Sequence, residues 1–483
     1  MEVVPAKMPS EVQSGRCPLG INDLPDEILI IIFSHLSLTE LLDVQKVCHH
    51  WKTLSRAPEL WNHKEYLIGC PSIRPRDTLR GHHRARQFGA TDREAIEFLP
   101  NAPDLRKVRM LQPVSPCVIR ALYTSCHRLS ELSLVSLQRI NYPMLKNLVE
   151  KCPKINSLTI PSEVMRSEIL AQAVSHLEHL RVLCLGEYDS SNETPLLLRL
   201  IADSCPQLEE VDFTFSYVNM DDLEYFLEAK NNTLKSIRIK WTMAGCVTPL
   251  LASCAGGLER LRLYKYDVHV EELEAFTALG RMENLQELKM GWIDPSPGTA
   301  ALAFKDGRLR KLRALDLRCS SALDDATVIA ICRGCPALRE LYLWGADKLS
   351  DFAFSEIYRL QRLEILDVSC CKALGGALIP FLTGLPRLHT LIMEEMNFPK
   401  LEPGLSSIVK LSNLRRLSLQ NSIVTGVPFD QFASKLVSLR NLNVKWCRRV
   451  PGGVKRLMEL MPAVRIHGSF KEWDLPEDIV RLF

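Results

Sequence analysis

Residues 24–61 read LPDEILIIIFSHLSLTELLDVQKVCHHWKTLSRAPELW, and they hold more apolar side chains than so short a segment can bury. The punctuation predicts three short helices. Pro25 suits a helix start, because its φ is fixed and it has no N–H to leave unpaired; the first helix then runs to about Leu36. Ser37 followed by Glu40 spells a capping box and starts a second helix at a new angle, carrying Leu41, Leu42, Val44 and Val47. The third begins near Cys48, carries Trp51 and Leu54, and stops at Pro58, with Leu60 and Trp61 following. Ile28, Leu29, Ile30, Ile31, Ile32 and Phe33 are consecutive, so the first helix is apolar on more than one face and must be buried. About forty residues cannot do that unaided. The excess is expected to meet a partner or the next domain, with Phe33 and its neighbours left partly uncovered by the chain itself.

Beyond this segment the chain repeats itself. The unit is L-x-x-L-x-L, running from Leu129-Leu132-Leu134 to Leu439-Leu442-Val444, with a weak first copy at Leu105-Val108-Met110 and a weak last one at Met461-Val464-Ile466. Successive starts lie 22 to 28 residues apart, inside the period of leucine-rich repeats. Two of the three apolar positions are two apart, as on one face of a strand, and the rest of each repeat has room for a bend, a helix and a return. No single turn encloses its own leucines, so neighbours must stack. The expected fold class is therefore α/β: a helical N-terminal domain, then a solenoid curved into a horseshoe with a parallel inner sheet and outer helices. About fifteen strands at roughly 4.8 Å give an inner arc of order 70 Å. Helical returns are predicted at 221–227 and 325–332.

The N-terminal segment closely resembles an F-box. The matching positions are Leu24, Pro25, Ile28, Ile32, Phe33, Leu36, Leu41, Val47, Cys48, Trp51, Leu60 and Trp61. The resemblance implies that Leu24, Pro25, Ile28, Leu29, Ile32, Phe33, Leu36, Leu41, Val47, Cys48, Trp51 and Trp61 form or support a surface that docks onto the Skp-type adaptor of a cullin–RING ubiquitin ligase. The chain would then be a non-catalytic substrate receptor, promoting ubiquitination and proteasomal degradation of its target. Several repeats place a cysteine just before the strand, at Cys126, Cys152, Cys205, Cys254 and Cys335, which resembles the cysteine-containing subclass of leucine-rich repeats common in F-box proteins. The expected organisation is a flexible lead-in at 1–18, the F-box at 19–66, a linker or capping segment at 67–103 made basic by Arg74, Arg76, Arg80, Arg84 and Arg86, repeats at 104–468, and a C-terminal cap at 469–483.

Composition narrows the rest. The chain has 483 residues, 46% hydrophobic and 24% charged, with net charge +3, too little to argue for nucleic acid from bulk charge. No secretory signal or membrane span is legible, so the 16 cysteines are expected as reduced thiols in the cytoplasm or nucleus. Cys332-Arg333-Gly334-Cys335 matches C-x-x-C but has no second pair at zinc spacing, and no P-loop, dinucleotide fingerprint, G-x-S-x-G or H-E-x-x-H is present; no metal, cofactor or catalytic residue is expected. In each repeat the residues flanking the last two apolar positions face the concave side. There Arg238, Lys240, Arg260, Arg262, Tyr264, Lys289, Arg318, Tyr342 and Trp344 form a cationic and aromatic cluster, with Trp241, Trp292 and Trp446 at the turn mouths. Such a cluster suits an acidic or phosphorylated peptide of a protein substrate; stacked nucleic-acid bases are the lesser alternative, and ordinary surface charge with gap-filling tryptophans is the plain one. A scaffold acting outside any ligase, or a small-molecule sensor, are the other functional readings.

Overall fold

The computed structural model describes residues 20–69, 89–135, 140–161, 171–172, 174, 176–186, 197–214, 218–240, 244–264, 272–291, 295–305, 307–401, 404–450 and 452–468. The chain divides into two compact units, residues 1–155 and 156–483.

The first unit opens with four short helices: α1 (Asp26–Ser34), α2 (Leu38–Val44), α3 (His49–Leu54) and α4 (Pro58–Asn62). The capping box sets the start of α2: Ser37 Oγ accepts the Glu40 amide, and the Ser37 amide donates to the Glu40 carboxylate at 2.7 Å. The Ser37 amide, together with the Ser37 hydroxyl donating to the same carboxylate oxygen at 2.7 Å, holds the Glu40 carboxyl below its ordinary range. Cys48 Sγ accepts the Trp51 amide at 3.4 Å and opens α3. Pro58, expected only to end the third helix, also begins α4, where its missing N–H costs nothing. α4 delivers Leu60 and Trp61 to the interior, and the Trp61 indole N–H donates to the Ser55 carbonyl at 2.7 Å. Lys64 Nζ donates to the Ser34 carbonyl at 3.0 Å and to the Leu36 carbonyl, satisfying acceptors that the end of α1 leaves open.

A strand follows where none was expected. β1 (Glu65–Ile68) runs parallel to β2 (Lys107–Met110), which pairs with β3 (Glu131–Ser133). Tyr66 and Ile68 alternate into the core, and Tyr66 stacks on Phe98 at 4.2 Å. Within the segment expected as a linker, a short helix spans Asp92–Phe98, capped by Thr91 with Glu94 reaching back, and Pro100 sits in the 3-10 turn Leu99–Asn101 that closes it. The five linker arginines lie outside the described residues, as do the lead-in at 1–18 and the C-terminal stretch 469–483.

The second unit is a stack of parallel strands in chain order: β4 (Ser157–Pro161), β5 (Val182–Gly186), β6 (Glu210–Asp212), β7 (Ser236–Lys240), β8 (Arg260–Tyr264), β9 (Glu287–Gly291), β10 (Ala314–Asp316), β11 (Glu340–Tyr342), β12 (Ile365–Asp367), β13 (Thr390–Ile392), β14 (Arg416–Ser418), β15 (Asn441–Asn443) and β16 (Arg465–His467). This is a leucine-rich-repeat solenoid. The register aligns the middle apolar residue of each repeat, Leu261 with Leu288, then Leu315, Leu341 and Leu366, and all of these are shut off from solvent. Burying one leucine is worth about 1.5–3 kcal/mol, and here that gain exists only because the repeats on either side close the space.

The predicted helical returns occur as Met220–Ala229 and Asp325–Gly334. Several later returns are 3-10 turns instead, among them Asp351–Phe354, Phe398–Leu401 and Gly404–Lys410. Pro399 interrupts helical bonding in the second of these, and at Gly404 an added Cβ would overlap the Gly376 carbonyl. Cys126, Cys152, Cys205 and Cys335 fill the slot before the strand and are buried; burial pushes the Cys126 thiol up to about 12 and Cys205 to about 11. Cys254 is a correction: it falls one residue short, and Ala255 takes the slot, its carbonyl accepting the Leu258 amide. In the repeat before, Lys230 takes it, with burial lowering its amine's pKa.

From β10 to β15 each strand leaves through one residue at positive φ: Cys319, Gly345, Cys370, Glu395, Asn421 and Trp446. The bend aims each amide at the next repeat, as from Cys319 to the Trp344 carbonyl at 2.7 Å and from Glu395 to the Gln420 carbonyl at 2.9 Å. Only Gly345 adopts this conformation without a Cβ penalty.

Candidate functional site

Two surfaces carry the residues singled out by the sequence, one in each unit. In the first unit α1 resolves the apolar run into two faces. Leu29 and Phe33, one helical turn apart, point inward and join Leu41, Leu54, Leu60 and Trp61 in a closed core, where Phe33 meets the Trp51 ring edge-on at 5.3 Å. Ile28, Ile31 and Ile32, at i, i+3 and i+4, form the other face and are 42%, 56% and 37% exposed; Val47 is 61% and Ile21 50% exposed.

The expectation that Phe33 is left uncovered is therefore corrected. Leu29, Phe33, Leu41 and Trp61 support the surface from inside. Leu24, Leu36 and Trp51 are half-buried, while Pro25, Ile28, Ile32, Val47 and Cys48 are exposed. Ile21 and Ile31 join the exposed set; for Ile31 the i, i+3, i+4 spacing with Ile28 and Ile32 was the available signal. Covering Ile21, Ile28, Ile31, Ile32 and Val47 would be worth about 4–7 kcal/mol in transfer terms alone. Two buried donors of the segment, Trp51 Nε1 and Gln45 Nε2, meet no acceptor among the described residues, which costs about 1–3 kcal/mol each.

A family model described as F-box-like matches residues 21–65, the four helices and the start of β1. The chain is 31% identical over 112 residues to F-box/LRR-repeat protein 12 of Bos taurus, covering 23% of this chain and 32% of that one. The chain thus joins an F-box-like segment to a leucine-rich-repeat solenoid. It is also 23% identical over 223 residues to human F-box/LRR-repeat protein 8, covering 38% of this chain and 60% of that one. A Caenorhabditis elegans protein named provisionally as RNA-binding is 22% identical over 415 residues, covering 72% of this chain and 53% of that one. The chain spans about a third to three fifths of the length of these curated relatives.

The second surface of the chain is the open face of the sheet in the second unit. Alternation along β8 buries Leu261 and Leu263 and turns Arg260 and Arg262 outward. These cations are not free, which corrects the expected cationic cluster. Arg262 grips Glu287 on the next strand at 2.8 Å, and Lys289 shares that carboxylate at 3.2 Å. Arg238 reaches Asp212 at 3.1 Å, Arg260 crosses Ser236 to pair with Glu210, and Arg318 holds both oxygens of Asp316 at 2.9 and 2.6 Å. Burial alone would raise the Glu287 carboxyl; Arg262 and Lys289 outweigh it and hold it low. The Arg318 guanidinium also lies over the Tyr342 ring at 5.3 Å, and the Tyr342 hydroxyl donates to Glu340 at 3.0 Å. Trp344 is half-buried on the same face. Lys240 and Tyr264 end their strands, with side chains outside the described residues, as are Trp241 and Trp292. Trp446 is exposed, under the Lys445 amine at 4.8 Å.

Farther along, the open face changes character. Asp367 is 7% exposed; its carboxylate accepts from the Ser369 amide at 3.0 Å and hydroxyl at 2.6 Å. Glu394 accepts from the Ser418 hydroxyl, which in turn accepts from the Asn443 amide at 2.9 Å. Burial pushes both carboxyls up. Ile365 and Ile392 lie half-buried beside these acids on the same face. Among the described residues one trio, Glu224, Glu228 and Cys254, brings three ligand atoms within 4.8 Å, but both carboxylates are exposed and solvated. Cys332 and Cys335 are buried, and desolvation keeps their thiols protonated, Cys332 up to about 12. No helix among the described residues is long and apolar enough to cross a membrane.

Proposed function

We propose that this chain is the substrate receptor of a Skp–cullin–F-box type ubiquitin ligase. The observation that carries the reading is the uncovered apolar face of Ile21, Ile28, Ile31, Ile32 and Val47, set on a closed core within the part that matches the F-box-like model. An apolar patch of this kind on a small helical unit is a docking surface, and the occupant we assign is a Skp-type adaptor, which brings the cullin and RING subunits with it. The open sheet face of the second unit holds the protein target. The chain performs no chemistry in this scheme: it raises the target's effective concentration beside the transferring subunits, and the target is ubiquitinated and degraded. This places it in the cytoplasm or nucleus.

A scaffold that uses the adaptor outside a ligase is the second reading, and it shares the same apolar face. Co-expression with a Skp-type adaptor, a cullin and a RING subunit separates the two. Recovery of the cullin on the tagged chain, lost when Ile28, Ile31 and Ile32 are all changed to Ser, is the result expected; adaptor recovered without cullin favours the scaffold, and no adaptor at all sinks both. RNA binding, suggested by the name of the nematode relative, is disfavoured because Arg238, Arg260, Arg262, Lys289 and Arg318 are already neutralised by carboxylates.

A further inference from the structure

Along the open face of the second unit the balance of charge reverses between β10 and β12. Every described arginine and lysine of the face from β7 to β10 is paired with a carboxylate of its own or a nearby strand. On β12 and just past β13 the opposite holds: among the described residues neither Asp367 nor Glu394 has a cation within ion-pair distance, and the groups that fix them are hydroxyls and a backbone amide. The nearest cation column is occupied elsewhere, since Arg318 holds Asp316 with two bonds.

The same strands set apolar groups beside the acids, Ile392 next to both and Ile365 on the far side of Asp367. The register sets Tyr342 beside Asp367 and Asp367 beside Ile392, with Ile365 two residues before Asp367. These lie on one face because alternation sends Leu366 and Leu391 into the core. Asp367 and Glu394 are one strand and two residues out of line, which is about 8 Å across the sheet. One cationic head seated between them faces both carboxylates.

We propose that the open face of β11–β13 docks an extended segment of the target in which a lysine or arginine stands beside an apolar residue, the cation between Asp367 and Glu394 and the apolar side chain on Ile365 and Ile392, with Tyr342 and Trp344 as the flanking wall. Charge complementarity selects this occupant: an acidic or phosphorylated segment would meet two carboxylates that no described cation pairs directly, Arg318 acting on Asp367 only from a distance, and it would have to break existing ion pairs to reach the arginines of β7–β10. The two carboxylates are already oriented by Ser369 and Ser418, so little ordering is needed on binding. The inference rests on the receptor reading for the identity of its occupant as a target, and it deepens that reading by naming the target's chemistry.

The test uses the purified full chain. Phage-displayed short random peptides are panned on it, and the recovered peptides are measured by fluorescence polarisation on the parent chain, on Asp367→Asn with Glu394→Gln, and on Arg260→Gln. Both amide replacements keep the oxygen that accepts from serine. Recovered sequences are expected to place Lys or Arg beside an aliphatic or aromatic residue, to lose about tenfold or more in affinity on the double variant, and to bind Arg260→Gln like the parent. A peptide-side control needs no folded variant: Lys or Arg replaced by Glu must lose binding to the parent chain. Recovery of acidic or phosphomimetic peptides, equal binding to parent and double variant, binding of an oligo-uridine RNA alone, or no enrichment each overturns the proposal. Cullin recovery is scored separately, so a chain that selects basic peptides but recruits no cullin refutes the receptor reading and leaves this surface standing.

Discussion

Changing Phe33 to Ala separates the core of the helical segment from its face. The Phe33 ring is 1% exposed and packs edge-on against Trp51 at 5.3 Å. Removing a buried phenylalanine costs about 3–5 kcal/mol in a site that cannot collapse, and the loss here includes an aromatic pair of about 0.5–1.5 kcal/mol. Ile32 is the neighbouring residue but lies on the outer face, 37% exposed; Ile32→Ser removes only the buried part of one side chain and should cost about 1–2 kcal/mol. Hydrogen exchange read by mass spectrometry follows peptides from 26–62 apart from the repeats, so the local free energy of opening is accessible without assuming that the chain unfolds in one step. Phe33→Ala should speed exchange throughout α1–α4 by a hundredfold or more, while Ile32→Ser speeds it only about tenfold. Unchanged protection in Phe33→Ala, or an equal loss in Ile32→Ser, would refute the division of α1 into an inner and an outer face.

Two further predictions concern the repeats. Glu395 holds φ 57° at an exposed strand exit, so Glu395→Gly should raise stability by about 1 kcal/mol, seen as a higher denaturant midpoint with unchanged slope. Asp367 has its carboxyl raised by burial above the ordinary value of 3.8. The folded chain therefore binds that proton more tightly than the unfolded one, and the resulting penalty is full above the raised pKa and vanishes below 3.8. Asp367→Asn should raise the melting temperature at about pH 7 and give a shrinking gain as pH falls to about 3.5; a gain that grows on acidification would show the carboxylate to be stabilising.

The period of the repeats was legible because each L-x-x-L-x-L buries the same three positions, and a mistake at any one repeat is corrected by the next. The capping box at Ser37 was a local signal of the same kind. α1 was not legible in detail: six consecutive apolar residues carry no period, so only packing decides that Leu29 and Phe33 turn in and Ile28, Ile31 and Ile32 turn out. β1 escaped because Glu65–Ile68 has no leucine triplet of its own and is a strand only by pairing with β2. On the sheet face the residue types were read correctly as outward, but their partners were not, since Arg262 and Glu287 are 25 residues apart and meet only when the register is known. The uncompensated acids at Asp367 and Glu394 were hidden for the same reason: a charge shows itself as unpaired only after its neighbours on both adjacent strands are in place.

Isothermal titration of a purified Skp-type adaptor into the full chain tests the central claim most directly. Ile28, Ile31 and Ile32 expose 42%, 56% and 37% of their surface, and covering what they expose is worth about 2–4 kcal/mol. The parent chain should bind the adaptor, and the variant with all three changed to Ser should bind about 30- to 700-fold more weakly, compared on variant preparations whose α1–α4 peptides still show exchange protection. A parent chain that does not bind, or a triple variant that binds as the parent does, would contradict the account.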